Sequence, residues 1–321
     1  MDKIKNDHIS IIIPNWNGMK YIGACLNSVY ESDFMDIEVI VVDNGSSDDS
    51  VDIIENNYPD VKLIRFKRNK GFAVACNEGI RNSSGEFVFL LNNDVELEPD
   101  CLTVLRDVLL ANPDCSMAGG KILRYDRRDY IDAAGDALTV GGAPYNRGHD
   151  TKDTGQFDKE EYVFGVCAGA AMYRRSLFDE IGMFDEDFFA YIEDVDLNLR
   201  ALLTGHKARY TPYARCYHHG NASLGSLSSR HVYLTNRNKL FLMIKNFPLN
   251  WFLRYAFHIA SHQVKMAVLF STTERGWSFF RSRLTALIKI PKMVIKRHKF
   301  FFGCRPDWTV VYPYLDKSDN R

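Results

Sequence analysis

The stretch FVFLLNND, at residues 87–94, decides how the rest of the chain is interpreted. Five apolar residues end abruptly in two amides and a carboxylate. A short, continuous apolar run of this kind is typical of a buried strand in the middle of a parallel sheet. Ligands of open α/β sheets bind beyond the carboxyl ends of the strands. Asp94 is therefore predicted to lie at the edge of a cleft, where it can hold a cation.

The segments around this stretch alternate between short apolar runs and amphipathic runs. The apolar runs predict strands at 9–13, 37–42, 61–66 and 87–91. Helical periodicity predicts helices at 19–31, between Ser46 and Tyr58, at 72–81 and at 98–112. This alternation indicates βαβ units and an α/β fold with a mostly parallel sheet. Residues 121–160 lack clear periodicity and are predicted to form loops and short strands over the cleft.

Polar residues follow the predicted strands directly. Asn15, Asp43, Asn69 and the run 92–94 each come at the end of a strand. Loops contain Asn and Asp for reasons of turn geometry alone, so any one of these positions carries little weight. Four in succession, all at the same edge of one sheet, predict a ligand site.

A second polar group begins a predicted helix farther along the chain. Glu193, Asp194 and Asp196 fall in its first turn, while Val195 and Leu199 lie on its apolar face. Acids in a first turn complement the helix dipole, but three are more than this requires. Because Val195 faces the core, the three cannot all point the same way, and one or two are expected to face the cleft.

The composition is that of an ordinary globular protein, with 46% hydrophobic and 25% charged residues in a chain of 321, enough for one large domain or two. The seven cysteines contain no C-x-x-C pair. This pattern argues against a disulfide framework or a zinc knuckle and favours a reducing compartment. Residues 1–8 lack the apolar core of a signal peptide, so the sequence predicts a cytoplasmic protein.

The charge is distributed unevenly. Residues 237–299 contain thirteen Lys and Arg but a single acid, Glu274. Within them, apolar positions from Leu284 to Val294 alternate with cations from Arg283 to Lys299, a pattern typical of helices on anionic membranes. The alternative is a helix pair packed on the preceding domain with a solvated basic face. No nucleic-acid-binding module supports a third interpretation.

In combination, these motifs resemble the family 2 glycosyltransferases with the GT-A fold, in their rhamnosyltransferase-like branch. They occur in the order of that family across residues 8–240: IPNWN at 13–17, VVDNGSSD at 41–48, NKGFA at 69–73 with Asn77, LNND at 91–94, GMFD at 182–185, YIEDVDL at 191–197 and HHG at 218–220. Each motif is weak alone, and the ordered set is specific.

The resemblance implies a Rossmann-like nucleotide-diphospho-sugar transferase domain at residues 1–240. Its nucleotide-binding half would be residues 8–115 and its acceptor and catalytic half residues 116–240. Residues 241–321 would form a basic, amphipathic helical extension.

The resemblance also implies roles at the ends of the strands. The run 92–94 occupies the position of the family's D-x-D motif, with Asn92 in place of the first aspartate, which removes one anionic contact. Asp94 and His218 would bind the metal, with His219 the less favoured histidine. The expected nucleotide-binding residues are Pro14, Asn15, Asn17, Asp43, Asn69, Gly71, Asn77, Asn92 and Asn93.

These residue types suit the chemistry of sugar transfer. A nucleoside diphosphate leaves readily only when its charge is neutralised, and the oxygen ligand Asp94 suits Mg²⁺ or Mn²⁺. A histidine ligand tilts the choice toward Mn²⁺. Asp194, beside Glu193, matches the family's catalytic base for the acceptor hydroxyl. One base and one displacement invert the anomeric configuration, and Arg237 is expected to add positive charge near the diphosphate.

The sequence thus predicts a metal-dependent, inverting glycosyltransferase, with rhamnose among the candidate sugars. Its donor would be dTDP- or UDP-linked, and its acceptor a polysaccharide or a polyprenyl-linked glycan at the inner face of the cell membrane. Two alternatives remain at this stage. A nucleotidyltransferase would not need Asp194 as a base, and an inactive, transferase-like assembly partner at the membrane would bind no nucleotide.

Overall fold

The computed structural model describes residues 5–220, 228–302 and 306–316. The strands in these segments are β1 (Lys5–Asn15), β2 (Ile37–Asp43), β3 (Lys62–Arg65), β4 (Gly85–Leu91), β5 (Val95–Leu97), β6 (Cys115–Arg124), β7 (Tyr130–Ala133), β8 (Asp136–Thr139), β9 (Pro144–Asn146), β10 (Thr151–Lys152), β11 (Glu161–Val163), β12 (Ala170–Arg174), β13 (Lys207–His218) and β14 (Leu315–Asp316). The helices are α1 (Ile22–Tyr30), α2 (Ser50–Asn57), α3 (Phe72–Arg81), α4 (Cys101–Ala111), α5 (Arg175–Ile181), α6 (Glu193–Leu203), α7 (Ser229–Asn246), α8 (Leu249–Arg254), α9 (Ala256–Ser271) and α10 (Gly276–Phe301).

Strand β4 lies in the middle of the main sheet, as its apolar sequence predicts. The sheet runs in the order β10-β7-β6-β12-β4-β1-β2-β3. Strand β13 joins this sheet by pairing with β6, and β5 and β11 join it by pairing with β13. Strands β4, β1, β2 and β3 are parallel, whereas β12 pairs antiparallel with β4 and β6. The predicted α/β fold with a mostly parallel central region is confirmed.

The alternation of side chains along β4 explains why its whole run is apolar. Phe87, Phe89 and Leu91 enter the hydrophobic core on one side of the sheet, and Val88 and Leu90 enter the core on the other side. All five are completely buried. A strand covered by helices on both faces has no solvent-facing positions to fill with polar residues.

The register of the parallel strands brings the predicted polar residues to one edge. Asn15, the last residue of β1, is paired with Asp43, the last residue of β2, and Asp43 is paired with Arg65 at the end of β3. Helix α3 has the predicted bounds, whereas α1 and α4 begin about three residues later than predicted. Residues 18–21 instead form a turn closed by a hydrogen bond from the Tyr21 amide to the Gly18 carbonyl, 2.9 Å.

The C-terminal region shares a core with the preceding domain. Helix α7 runs without a break across the predicted boundary at residues 240 and 241. Leu199 of α6, Phe241 of α7 and Met293 of α10 belong to one buried cluster. Strand β14 also pairs with β8 in a separate three-stranded sheet.

Helix α10 turns much of its basic face inward. Lys296 forms ion pairs with Asp185 and Asp187, Lys292 contacts Asp187, and Arg297 donates to the carbonyl of Phe247. Leu287 and Ile288, in contrast, are 60% and 68% exposed. The expectation of a solvated basic face therefore holds only in part, because the acids at 185 and 187 attract the cations and leave apolar side chains outside.

Two further expectations concern membranes and cysteines. Within the described segments, no helix combines the length and the apolar character that crossing a bilayer requires. The cysteines at positions 25, 76, 101, 115, 167 and 216 are free thiols, and Cys304 lies outside the described residues.

Candidate active site

A cavity of about 650 Å³ opens where β1 and β4 end, and it is bounded by the loop before α6 and by one face of α7. The residues that line it include Pro14, Asn15, Trp16, Asn44, Asn69, Phe72, Asn92, Asn93, Asp136, Asn146, His149, Cys167, Ala168, Tyr191, Glu193, Asp194, His218, His231, Thr235 and Lys239. Most of the polar residues predicted from separate motifs thus meet in one place.

The amides at the ends of β1 and β4 hold one another in position. Asn93 donates from Nδ2 to Oδ1 of Asn15, 2.8 Å away. Asn15 in turn donates to Asp43 Oδ1 at 3.1 Å and to Ser50 Oγ at 3.0 Å. These side chains are buried, so their orientation is fixed before any ligand enters.

The predicted nucleotide-binding residues divide into two groups. Pro14, Asn15, Asn69, Asn92 and Asn93 line the cavity, whereas Asn17, Asp43, Gly71 and Asn77 do not.

The residues of the second group support the loops around the cavity. The Asp43 carboxylate accepts hydrogen bonds from the amides of Gly45 and Ser46, both at 3.2 Å. The side chain of Asn77 bonds to both backbone groups of Phe184. Gly71 has a φ of +100°, and a Cβ there would lie 2.6 Å from the Phe189 carbonyl oxygen. Only glycine permits this close approach.

Asp94 and His218 face each other, as the two predicted metal ligands should. His218 Nε2 lies 3.4 Å from Asp94 Oδ1, and its Nδ1 lies 2.7 Å from Asp132 Oδ2. Burial alone would lower the pKa of His218, but the carboxylates of Asp132 and Asp94 outweigh burial and raise it to about 10. The same carboxylates would attract a divalent cation, and its binding by His218 requires the neutral ring.

The donor set fits such a cation. A carboxylate oxygen and an imidazole nitrogen suit Mn²⁺ and Mg²⁺, and the bond from Asp132 orients the ring in the way that outer carboxylates orient metal-binding histidines. His219 is directed elsewhere. Its Nε2 bonds to Glu96 at 2.9 Å, and its ring stacks on Tyr125 at 3.7 Å.

Asp194 is presented at the start of α6. Its Oδ1 accepts from the amide of Val195 at 2.8 Å, and its Oδ2 accepts from the amide of Ala168 at 3.3 Å. Burial raises the pKa of Asp194, while these amide bonds oppose the rise. Glu193 also lines the cavity, and burial together with the charge of Asp194 raises its pKa well above the ordinary value. Asp196 points the other way, toward Lys245 and Arg200.

The backbone before α6 is in an unusual conformation. Phe189, Tyr191 and Ile192 have φ values of 69°, 71° and 70°, in the left-handed region. Such residues cost free energy and persist only where the surroundings hold them. Asn238 of α7 does so by donating from Nδ2 to the carbonyls of Phe188 at 2.9 Å, Ala190 at 2.9 Å and Tyr191 at 2.7 Å.

Arg237 does not line the cavity, although the sequence suggested a role at the diphosphate. Its guanidinium donates to the carbonyls of Asp187 at 2.9 Å and Phe188 at 2.8 Å. It is therefore engaged in holding the same loop that Asn238 holds. The α7 residues that do line the cavity are His231, Thr235 and Lys239.

Asp136 is a cavity residue that the motifs did not reveal. Its carboxylate accepts from Asn198 Nδ2 at 2.9 Å. A ligand atom of Asp136, one of Cys167 and one of Asp194 all lie within 4.8 Å of one another. Burial raises the pKa of all three groups, and metal ligation requires their deprotonated forms. A divalent ion bound by these three groups would have to displace the protons that burial favours.

Comparison with known proteins agrees with this geometry. The model of Glycosyl transferase family 2 matches residues 10–182, more than half of the 321 residues. An N-acetylglucosaminyl-diphospho-decaprenol L-rhamnosyltransferase of Mycobacterium tuberculosis is 28% identical over 253 residues, which cover 70% of this chain and 82% of that protein. An uncharacterized protein of Sinorhizobium fredii is 30% identical over 68% of this chain, which spans only 25% of that protein's length.

A solved structure shows the same fold. A mannosyltransferase of Pyrobaculum calidifontis, in complex with GDP-Man and Mn²⁺, superposes with a TM-score of 0.55 at 16% identity and covers 92% of this chain and 85% of its own. The match to an L-rhamnosyltransferase bears out the resemblance to that branch. The chain is therefore an enzyme of glycosyltransferase family 2, with the GT-A fold.

Proposed function

We propose that the chain is a metal-dependent, inverting transferase that moves a sugar from a nucleoside diphosphate to a hydroxyl of a polysaccharide or lipid-linked glycan. The observation that carries this proposal is the position of Asp194. Its carboxylate lines the same cavity as the strand-end amides Asn15 and Asn93 and as His218. The cavity thus combines a base, a nucleotide-binding edge and His218, and buried Asp94, which is not part of the lining, lies 3.4 Å from His218. These are the parts that the reaction requires.

Each part has a defined task. Pro14, Asn15, Asn69, Asn92 and Asn93 bind the nucleotide at the ends of β1, β3 and β4. Asp94 and His218 would hold Mn²⁺ or Mg²⁺, which would neutralise charge on the leaving diphosphate. Asp194 takes the proton of the acceptor hydroxyl as its oxygen attacks the anomeric carbon. Burial and the charge of Asp194 raise the pKa of Glu193, which disfavours a second carboxylate beside the base.

The assignment of Asp194 is tested by Asp194→Asn, which keeps the shape of the side chain but removes the base. We expect kcat to fall by about 10²–10⁴-fold, with the affinity for nucleotide unchanged. Glu193→Gln is the matched control at the neighbouring acid, and it should cost much less. Transfer by Asp194→Asn within a few-fold of wild type would contradict the role of base.

The same carboxylate sets the pH dependence. Because burial raises the pKa of Asp194, this base ionises at a higher pH than an ordinary aspartate, whose pKa is about 3.9. Activity should therefore rise with pH and reach its plateau only above the pH at which an ordinary aspartate is already ionised. Glu193 on the same helix and Asp136 and Cys167 across the cavity are the titratable groups that face it. A pH profile of kcat/KM measures this acid limb.

The donor and acceptor follow from the relatives. The M. tuberculosis relative is named for L-rhamnose transfer to an N-acetylglucosaminyl-diphospho-decaprenol, which supports rhamnose as the sugar and a polyprenyl-linked acceptor. The dTDP- or UDP-linked donor is proposed from the sequence resemblance alone. The family match favours this activity over nucleotidyl transfer and over an inactive assembly partner.

An acceptor of this kind would be met at the inner face of the cell membrane, and the C-terminal helices offer a surface for it. Leu249, Leu253 and Phe257 on α8 and α9, and Trp277 on α10, are each 70–77% exposed. Arg254, Arg281 and Lys289 are exposed beside apolar residues of these helices. Apolar side chains flanked by cations suit an anionic lipid surface.

A further inference from the structure

One face of α7 carries a cation without a counter-charge into the active-site cavity. His231, Thr235 and Lys239 follow one another at intervals of four residues, so they share a helix face, and all three line the cavity. Among the described residues, Lys239 has neither a carboxylate partner nor a hydrogen-bond acceptor. The lysines that are fully buried in the described segments, Lys121 and Lys245, each form two ion pairs, whereas Lys239 is partly buried.

A second cation lies near Lys239. Arg283 of α10 donates to the carbonyl of Asn236 at 3.3 Å and to its side-chain oxygen at 3.5 Å, and its guanidinium lies 4.5 Å from the Phe279 ring. It has no carboxylate partner within the described segments. Burial, and then the charge of Arg283, lower the pKa of Lys239 to about 8. Two cations kept close together in a poorly solvated place destabilise the folded chain unless an anion joins them. The cavity that Lys239 lines is where such an anion can enter.

Lys239 lies on the side of the cavity that presents the base. Its neighbour Asn238 is bonded to the loop before Asp194, and the ring of His231 lies 4.6 Å from that of Tyr191 in the same loop. The nucleotide-binding amides, in contrast, belong to the ends of β1, β3 and β4. An anion that binds at Lys239 therefore lies where the acceptor, rather than the donor, is expected.

Beyond Lys239, the structure leads toward the apolar surface. Arg283 is followed on α10 by Leu284 and Leu287, which are 49% and 60% exposed. The order from the cavity outward is base, cations and apolar side chains. A sugar linked through a diphosphate to an isoprenoid has the same order: hydroxyl, phosphates and hydrocarbon.

We propose that Lys239, assisted by Arg283, binds a phosphate of the acceptor, which makes the acceptor an isoprenoid diphosphate-linked sugar. This inference rests on the proposed function and extends it by assigning a site to the acceptor's charge. The chemistry recognised is a phosphate group, and the donor's diphosphate is its other source.

Binding of farnesyl diphosphate to the full chain tests the site without any transfer of sugar. Calorimetry should give binding to wild type and at least tenfold weaker binding to Lys239→Met. Lys159→Met, at an exposed lysine outside the cavity, should bind as wild type does, and Lys239→Arg should restore part of the affinity. Equal affinity of wild type and Lys239→Met for farnesyl diphosphate would overturn the proposal.

A second titration separates the two sources of phosphate. UDP and dTDP, each with Mn²⁺, should bind Lys239→Met as tightly as wild type. A parallel loss of nucleotide affinity would assign Lys239 to the donor and overturn the proposal. If farnesyl diphosphate binding depends on Lys239 while no lipid-linked acceptor is glycosylated, the phosphate site stands and the proposed function fails. Lys239→Met removes a charge that has no counter-charge among the described residues, so the variant should fold at least as stably as wild type, which thermal unfolding verifies.

Discussion

Asn238 contacts neither the nucleotide-binding edge nor the metal ligands, yet it holds the backbone that presents the base. Its Nδ2 reaches three carbonyls of residues 188–191, in a loop with three residues in the left-handed region. We classify it as a positioning residue. Replacing Asn238 should lower activity by displacing Asp194, since displacement of a reacting group by about 1 Å costs on the order of 10²-fold in rate.

Asn238→Ala should lower kcat by roughly tenfold or more while leaving the KM for donor nearly unchanged. The free energy of unfolding should fall by about 1–3 kcal/mol, because buried carbonyls lose their donor. Asn112→Ala on α4 also loses an amide-to-carbonyl bond, to Val108 at 2.7 Å, but lies outside the cavity. Steady-state kinetics should separate the two variants, and equal kcat values would show that Asn238 has no positioning role.

At the scale of single residues, the sequence predicted candidate site residues that belong to motifs and missed those that do not. Asp94, Asp194 and His218 follow strands or begin a helix, so local pattern predicts their surroundings. Asp132 and Asp136 lie on short strands, but the side chains that they contact, His218 and Asn198, are far along the chain. No periodicity of residues 121–160 indicates their burial. Arg237 was the cation of α7 chosen from sequence, whereas the structure turns its neighbour Lys239 into the cavity. Which of two such neighbours faces a cleft depends on packing against α6 and α10.

Helices α6, α7 and α10 are joined to the loop before α6 by a buried network of charges. Lys245 bonds to Asp185 and Asp196, both at 2.8 Å, and Asp196 also contacts Arg200 at 2.9 Å. Lys245 and Asp196 are 4% and 0% exposed. Removing one partner of a buried pair leaves the other uncompensated, at a cost of about 3–5 kcal/mol. This network is the reason that residues beyond 240 cannot be separated cleanly from the domain before them.

Lys245→Met should therefore lower the free energy of unfolding at pH 7 by about 3 kcal/mol or more. Lys292→Met is the matched control: its ion pair with Asp187 spans 2.5 Å, but Lys292 is half exposed, so the cost should be about 1 kcal/mol or less. Urea denaturation measures both. Equal costs for the two variants would contradict the importance of burial.

The sign of the pH effect is fixed by the carboxylates. Burial raises the pKa values of Asp185 and Asp196, but Lys245 and the other cations lower them further than burial raises them. The unfolded chain then binds more protons than the folded chain below about pH 4, so this stabilisation is present above that pH and is lost progressively as the pH falls. The difference between wild type and Lys245→Met should shrink at pH 3.

On the scale of the whole molecule, the fold could be predicted because its central strands are buried on both faces. Such strands consist of continuous apolar runs, which are visible in the sequence. The tail could be predicted only in outline. The alternation of cations and apolar residues on α10 fits both a membrane-bound and a packed helix, and the choice depends on Asp185 and Asp187, about a hundred residues away. The structure combines the two interpretations, with cations packed inward and apolar side chains exposed.

Membrane association through this surface should depend on the apolar side chains. Wild type should co-sediment with vesicles, and more strongly when they contain anionic phosphatidylglycerol than when they contain phosphatidylcholine alone. The double variant Phe257→Glu/Trp277→Glu should bind at least tenfold more weakly, while its affinity for nucleotide stays unchanged. Wild-type binding without preference for anionic lipid, or undiminished binding of the double variant, would contradict the proposed surface.

The central claim is that the cavity binds a nucleoside diphosphate through a divalent cation held by Asp94 and His218. The most direct measurement is calorimetric titration of UDP, dTDP and GDP, each with and without Mn²⁺, into wild type and Asp94→Ala. We expect one of the three to bind wild type at least tenfold more tightly with Mn²⁺ than without it, and this metal dependence to disappear in Asp94→Ala. Failure of all three nucleotides to bind wild type under either condition would contradict the account.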